Sequence, residues 1–288
     1  MLWRKDKQTT VEKRDTQVIA VWSAPGSTGR SQVAASIAVE LSNAGFKALL
    51  IDADVYSPSQ LQIFGFAENH IGIASACRLA GRQQLDSESL AAVLVDFGMP
   101  KSSLQLLPGL HLVSRWPELG YEPMLDVIEV AKQTFDFVVI DVAASLEREL
   151  VDQRTLAERN AVTHACLQAA NQIIGLALGE SVGLARYTWA IQELKQLGVG
   201  EKLVTVINRY SPDSRTGRSL ETTLERLAGV KVAGYLADDP EVFARAAEAQ
   251  VPIALAPRNS SVKQVLATFT RSQLLGLDVG RRRLSKLG

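Results

Sequence analysis

Trp22-Ser-Ala-Pro-Gly-Ser-Thr-Gly-Arg-Ser-Gln-Val33 joins an apolar run, Val18 to Trp22, to a small-residue helical pattern that begins at Ser31. Read in order, that is a strand, a glycine loop and a helix. Backbone N–H groups in such a loop converge with the positive end of the helix, so the turn is built to hold a phosphate chain. The common loop of this kind reads G-x-x-x-x-G-K-[ST]. Here Ala24 takes the first position, Gly29 the second glycine, Arg30 the lysine and Ser31 the magnesium-binding hydroxyl. A guanidinium also contacts phosphate, but its planar fork is not interchangeable with an ammonium. The loop therefore fits nucleotide binding with slowed transfer chemistry, and the alternative is a degenerate loop that has lost its ligand.

The rest of the composition narrows the class. A chain of 288 residues, 47% apolar and 22% charged, is an ordinary globular protein with length for a sizeable core. Its formal net charge of zero argues against a whole-molecule attraction to DNA or anionic lipid. Cys77 and Cys166 lie far apart without a nearby histidine at metal-ligand spacing, and read as reduced core residues. No apolar run is long enough for a spanning helix and no signal-peptide pattern opens the sequence. The cytoplasm is the default compartment, with peripheral contact at the inner face of the membrane as the alternative.

Two more apolar runs each deliver an aspartate. Lys47 to Ile51 leads into Asp52-Ala-Asp54, and Phe135 to Ile140 delivers Asp141. Such runs read as buried parallel strands, and ligands in open α/β sheets bind where the strands end. Asp54 is the candidate for placing a water, and Ser31, Asp52, Asp54 and Asp141 are the candidates for holding magnesium. The alternative for each aspartate is a turn cap or a solvated strand end. His164 reads as structural.

At this point the residues carry a resemblance. Leu49-Leu-Ile-Asp-Ala-Asp-Val-Tyr-Ser-Pro-Ser59, about twenty residues beyond the glycine loop, resembles the switch I segment of the ParA/MinD/Mrp group of deviant Walker-A ATPases. Their loop pattern K-G-G-x-G-K-[ST] places Gly26, Ser27 and Gly29 on its glycines, Arg30 on the phosphate lysine and Ser31 on the hydroxyl. Pro25 falls on the signature lysine that reaches a partner's nucleotide. With both lysines replaced, the resemblance implies the fold more strongly than fast hydrolysis. It implies ATP and Mg2+ on residues Gly26, Ser27, Thr28, Gly29, Arg30, Ser31 and Gln32, and a nucleotide-dependent homodimer. The family's D-x-x-x-G is Asp141-Val-Ala-Ala-Ser145 here, without the glycine.

The family pattern extends further along the chain. Lys202 to Ile207 ends in Asn208-Arg209-Tyr210, where the resemblance implies base recognition by Asn208 with Arg209 beside it. Val230 to Leu236, then Ala237-Asp238, resembles the segment lying against the adenine ring, with Leu236 where proline is usual. Leu104 to Val113 is expected to be a strand broken at Pro108-Gly109. Helices are expected over Ser87 to Phe97 and Leu220 to Leu227, a polar loop over Ser211 to Arg218, and a short strand at Val251-Pro-Ile253.

Strands alternating with helical patterns predict one doubly wound α/β domain with a mostly parallel sheet and helices on both faces. The expected layout is a flexible leader over residues 1–16, the domain over 17–273 and a basic tail over 274–288. That tail has too little apolar face to bind lipid strongly. The departures look most like CpaE/TadZ-like or MinD-like localisation proteins, and the absence of a C-x-x-C separates the chain from Mrp-type iron–sulfur carriers. The expected function is an ATP-binding, slowly hydrolysing dimeric switch with a protein partner in a pilus, septum or secretion system. The alternative is a pseudo-ATPase scaffold of the same fold.

Overall fold

A computed structural model describes residues 15–26, 28–66, 70–97, 102–148, 157–211, 215–257 and 259–277, with backbone alone over 215–221. Most of the expected leader, the tail from residue 278 and Ser27 lie outside the described residues.

Among the described residues, eight strands run β1 Gln17–Ser23, β2 Ala48–Ala53, β3 Val95–Asp96, β4 Leu104–Leu107, β5 Phe137–Val142, β6 Gln172–Leu178, β7 Leu203–Tyr210 and β8 Val232–Ala237. They form one sheet in the order β3-β4-β2-β5-β1-β6-β7-β8. Every pairing is parallel except the short β3–β4 contact at the edge. The central strands are continuous apolar runs because both faces are covered, which removes the alternation a one-sided sheet would show.

Among the described residues, ten α-helices supply that cover: α1 Arg30–Asn43, α2 Gln60–Ile63, α3 Ile73–Gly81, α4 Ser87–Ala91, α5 Tyr121–Ala131, α6 Ala161–Ala169, α7 Ser181–Gln196, α8 Arg215–Ala228, α9 Pro240–Glu248 and α10 Ser261–Phe269. On one face α1, α9 and α10 pack through Ile37, Val242 and Leu266. On the other, α3, α5, α6 and α7 pack through Cys77, Ile128, Cys166 and Ile191. The doubly wound reading of the sequence is therefore the architecture of the chain. Thr16 is already tied in, its hydroxyl donating to the carbonyls of Lys132 and Phe135 at 2.8 Å.

Four local expectations are corrected. The strand of residues 104–113 stops at Leu107, and a 3-10 helix follows over Val113–Glu118. Pro108 has no N–H to continue a ladder, and its carbonyl is used by the Ile73 N–H at 2.8 Å. The helix expected over Ser87 to Phe97 ends at Ala91, before the short edge strand β3. Residues 251–253 lead into a 3-10 turn, Ile253–Leu255, rather than a strand. Helix α8 begins at Arg215, inside the stretch read as a loop.

Candidate functional site

Three elements meet above the carboxyl edge of β1, β2 and β5. Residue Gly29, at φ +80°, is the N-cap of α1 and offers no side chain to the first turn. The left-handed backbone suits glycine, and a Cβ there would sit 2.8 Å from Asn208 Nδ2. The opening amides of α1 thus face a cavity of about 680 Å3 lined by Gly26, Thr28, Gly29, Arg30, Ser31 and Asp54 among others. A helix N-terminus without a side-chain cap is an anion site by geometry and by dipole.

Arg30 does not point to solvent. Its Nε donates to Asp141 Oδ1 at 3.0 Å, its Nη2 pairs with Asp54 Oδ2, and its Nη1 lies 3.4 Å from Ser23 Oγ. Only 12% of its side chain is exposed, and Asp54 and Asp141 are buried beside it. One fork therefore spans two strand tips, which the compact ammonium of a lysine would reach less readily.

The remaining carboxylate oxygens are also taken. Asp54 Oδ1 accepts the amides of Tyr56 and Ser57 at 2.9 and 3.0 Å. Asp141 Oδ2 accepts Gln60 Nε2 at 2.9 Å, and the Ser31 hydroxyl donates to the same carboxylate. Burial pushes Asp141 above the ordinary carboxylate range even though Arg30, Ser31 and Gln60 pull it down.

Asp52 stands apart from this cluster. Its oxygens accept the amides of Ser59 and Gln60 at 2.9 Å and of Asp54 at 3.3 Å, which binds the loop after β2 to the end of its own strand. It borders a second hollow of about 250 Å3 shared with Pro58, Gly109 and His111. Burial, then the nearby Asp141, push its carboxyl up to about 8.

The expected base-binding residues divide as well. Asn208 is buried; its Nδ2 donates to Thr28 O at 2.8 Å and its Oδ1 accepts the Arg209 amide at 2.9 Å. That braces the phosphate loop from β7. Arg209 is exposed at φ +53°, at a register shift between β7 and β8. Leu236 points into the core, whereas Asp238 is exposed, its amide donating to Tyr210 O at 3.2 Å. Gln32 lines the cavity while its Oε1 accepts the Ile253 amide at 3.1 Å.

Three side chains that the sequence reading passed over complete the surroundings. Gln60 donates to both Asp141 and Ser31 O. Arg159 stacks 3.8 Å from the Tyr56 ring and donates to Val55 O at 3.1 Å, holding the loop that carries Asp54. Arg186 of α7 brings Nη1 within 3.4 Å of where a Cβ on Gly26 would lie. No local motif marks any of them; only the fold brings them to the cleft.

Magnesium was expected on Ser31, Asp52, Asp54 and Asp141, and the arrangement does not fit it. The Arg30 guanidinium already fills the space between Asp54 and Asp141 where a cation would bridge them, and the Asp52 oxygens accept the amides of the loop after β2. No three His, Cys, Asp or Glu side chains form a metal-binding group among the described residues.

A parallel sheet in this order, with a glycine loop feeding α1 and aspartates ending β2 and β5, is a P-loop NTPase architecture. A protein-family model described as "ParA: NUBPL iron-transfer P-loop NTPase" matches residues 14–100. The iron-sulfur cluster carrier protein of Aquifex aeolicus is 25% identical over 260 residues, which cover 88% of this chain and 66% of that one. The septum site-determining protein MinD of Synechocystis is 25% identical over 79% of this chain and 78% of its own. Among solved structures, a ParA family ATPase from Chlorobium tepidum superposes with a TM-score of 0.73 at 18% identity, covering 88% of this chain and 98% of its own. MinD from Pyrococcus horikoshii, complexed with Mg-ADP, gives 0.69 at 20% identity, over 91% and 98%. In sequence and in fold the chain is similar to P-loop NTPases of the ParA/MinD type.

Proposed function

We propose that this chain is an adenine-nucleotide-binding switch of the ParA/MinD type in which nucleotide governs the docking of a second copy and of a protein partner, with little or no turnover. The single observation behind it is the uncapped N-terminus of α1 opening, with Arg30, on a cavity of about 680 Å3. Loop amides would hold the phosphates, Asn208 would keep the loop in shape through Thr28, and Arg30 would contact the phosphates from the cavity floor.

A docking role is supported by α7, where Val182, Arg186 and Trp189 lie one turn apart on the outer face, with Val182 59% and Trp189 69% exposed. The partner is read as a component of a pilus, septum or secretion system. No helix among the described residues is long and apolar enough to cross a membrane. Cluster carriage, the role named for the Aquifex relative, is not supported: the chain has two cysteines, both buried, with the Cys77 thiol pushed up to about 12 by burial and Cys166 raised likewise.

Slow hydrolysis is a second reading, favoured by one observation: Asp54 lines the cavity. Were Arg30 to move onto phosphate, Asp54 Oδ2 would be free to orient a water. Calorimetric titration of ATP and ADP into the wild-type chain tests the main reading, which predicts saturable binding weakened by Ser31→Ala. Absence of any binding overturns it. Phosphate release above buffer that vanishes in Asp54→Ala would replace it with the hydrolytic reading.

A further inference from the structure

Arg30 meets the two carboxylates at which the family fold would place a cation, and it does so with hydrogen bonds to spare. Its guanidinium carries five N–H groups, of which one goes to Asp141, one to Asp54 and one toward Ser23. Two remain for a ligand while both carboxylates stay held. Gln60, itself fully buried, fixes the far oxygen of Asp141 and the Ser31 carbonyl, so the acidic side of the cleft is set before any ligand arrives.

A second guanidinium stands at the mouth. Arg186 is exposed, makes no hydrogen bond or ion pair among the described residues, and brings Nη1 beside Gly26 on the phosphate loop. Pro25 leaves the loop itself without a cation at the position before Gly26. Arg186 supplies one from α7 of the same chain.

Resting on the nucleotide reading of the cleft, we infer that this chain neutralises bound phosphates with Arg30 and Arg186 in place of a divalent cation, so that it holds nucleotide without a metal. Arg30 takes the position between Asp54 and Asp141, and Arg186 closes over the loop from outside. Each presents a planar fork suited to paired phosphate oxygens.

The test is calorimetry of ADP and ATP with the full chain, once in Mg2+ and once in EDTA, on wild type, Arg186→Ala and Arg30→Lys. The wild-type Kd is expected to agree within about threefold between the two buffers, since Arg30 already fills the place between the two carboxylates. Arg186→Ala, a surface change, is expected to weaken binding about tenfold in EDTA. Arg30→Lys gives up the second carboxylate, and a folded variant, checked by circular dichroism, is expected to bind at least about tenfold better with Mg2+ than without. A wild-type loss of more than about tenfold in EDTA overturns the inference while leaving nucleotide binding intact. Wild-type affinity in Arg186→Ala overturns the part assigned to that residue. No binding in either buffer removes the nucleotide reading itself, a result distinct from both.

Discussion

The two aspartates of Asp52-Ala-Asp54 lie two residues apart and live in different electrostatic worlds. Asp54, with Asp141, shares the Arg30 guanidinium; Asp52, whose Cα is the register partner of Asp141, has only backbone amides. Both flanks are buried. On the first, a cation answers the carboxylates and the loop of α1 is drawn onto β2 and β5. On the second, burial pushes the carboxyl up to about 8, and three amide donors bind it as a loop clamp. An aspartate at a strand tip therefore has a cation for a partner only where a guanidinium can reach it. Position in the motif does not decide this; the reach of a remote side chain does.

The largest way to break this contrast is to remove the cation. Arg30→Met leaves Asp54 and Asp141 buried without their partner, and is expected to cost about 3–5 kcal/mol in urea unfolding. A loss below about 1 kcal/mol would mean that the carboxylates are held by their other donors and that Arg30 is idle in the ligand-free protein. The Asp52 flank breaks differently, by crowding. A Cβ on Gly109 would lie 2.7 Å from Pro58 Cβ and 2.8 Å from Asp52 Cγ. Gly109→Ala is expected to destabilise by about 1–3 kcal/mol, because one neighbour lies in the clamped loop and the other is the carboxylate that clamps it. An unchanged denaturation midpoint would show that the loop yields freely.

Much of this was legible in the sequence, for physical reasons. The continuous apolar runs ending at Asp52 and Asp141 announce buried parallel strands, since only a sheet covered on both sides lacks alternation. Gly29 followed by Arg30-Ser31 announces the loop-to-helix turn. What the sequence hid is the direction in which side chains go. Arg30 reads as a phosphate contact and Asn208 as a base contact; that the first also bonds Asp54 and Asp141 and the second Thr28 O is visible only in the fold. Leu236 reads as an adenine contact and points into the core. Gln60, Arg159 and Arg186 carry no local pattern at all; their partners lie between 29 and 160 residues away.

Asn208 offers a smaller test on the loop side of the same comparison. Asn208→Ala removes the bond to Thr28 O and leaves that buried carbonyl without its donor, an expected cost of about 1–2 kcal/mol. If the residue braces the loop, Asn208→Ala also weakens ADP and GDP alike in calorimetry. Loss confined to adenine nucleotides, with guanine nucleotides unaffected, would restore the base-recognition reading.

The finest test is the pH dependence of Asp52. Its folded carboxyl titrates at about 8, above the ordinary carboxylate range, so between roughly pH 4 and 8 the folded chain binds a proton that the unfolded chain has released. Stability is therefore largest at the acid end of that window and falls as pH rises toward 8. Asp52→Asn fixes the neutral form and keeps one oxygen for the Ser59 and Gln60 amides. Urea midpoints at pH 5, 6.5 and 8 should fall in the wild type and stay flatter in the variant, with a difference of about 1 kcal/mol at the alkaline end. Parallel slopes would mean that Asp52 is ionised throughout, and that backbone amides alone suffice to hold a charge where no guanidinium reaches.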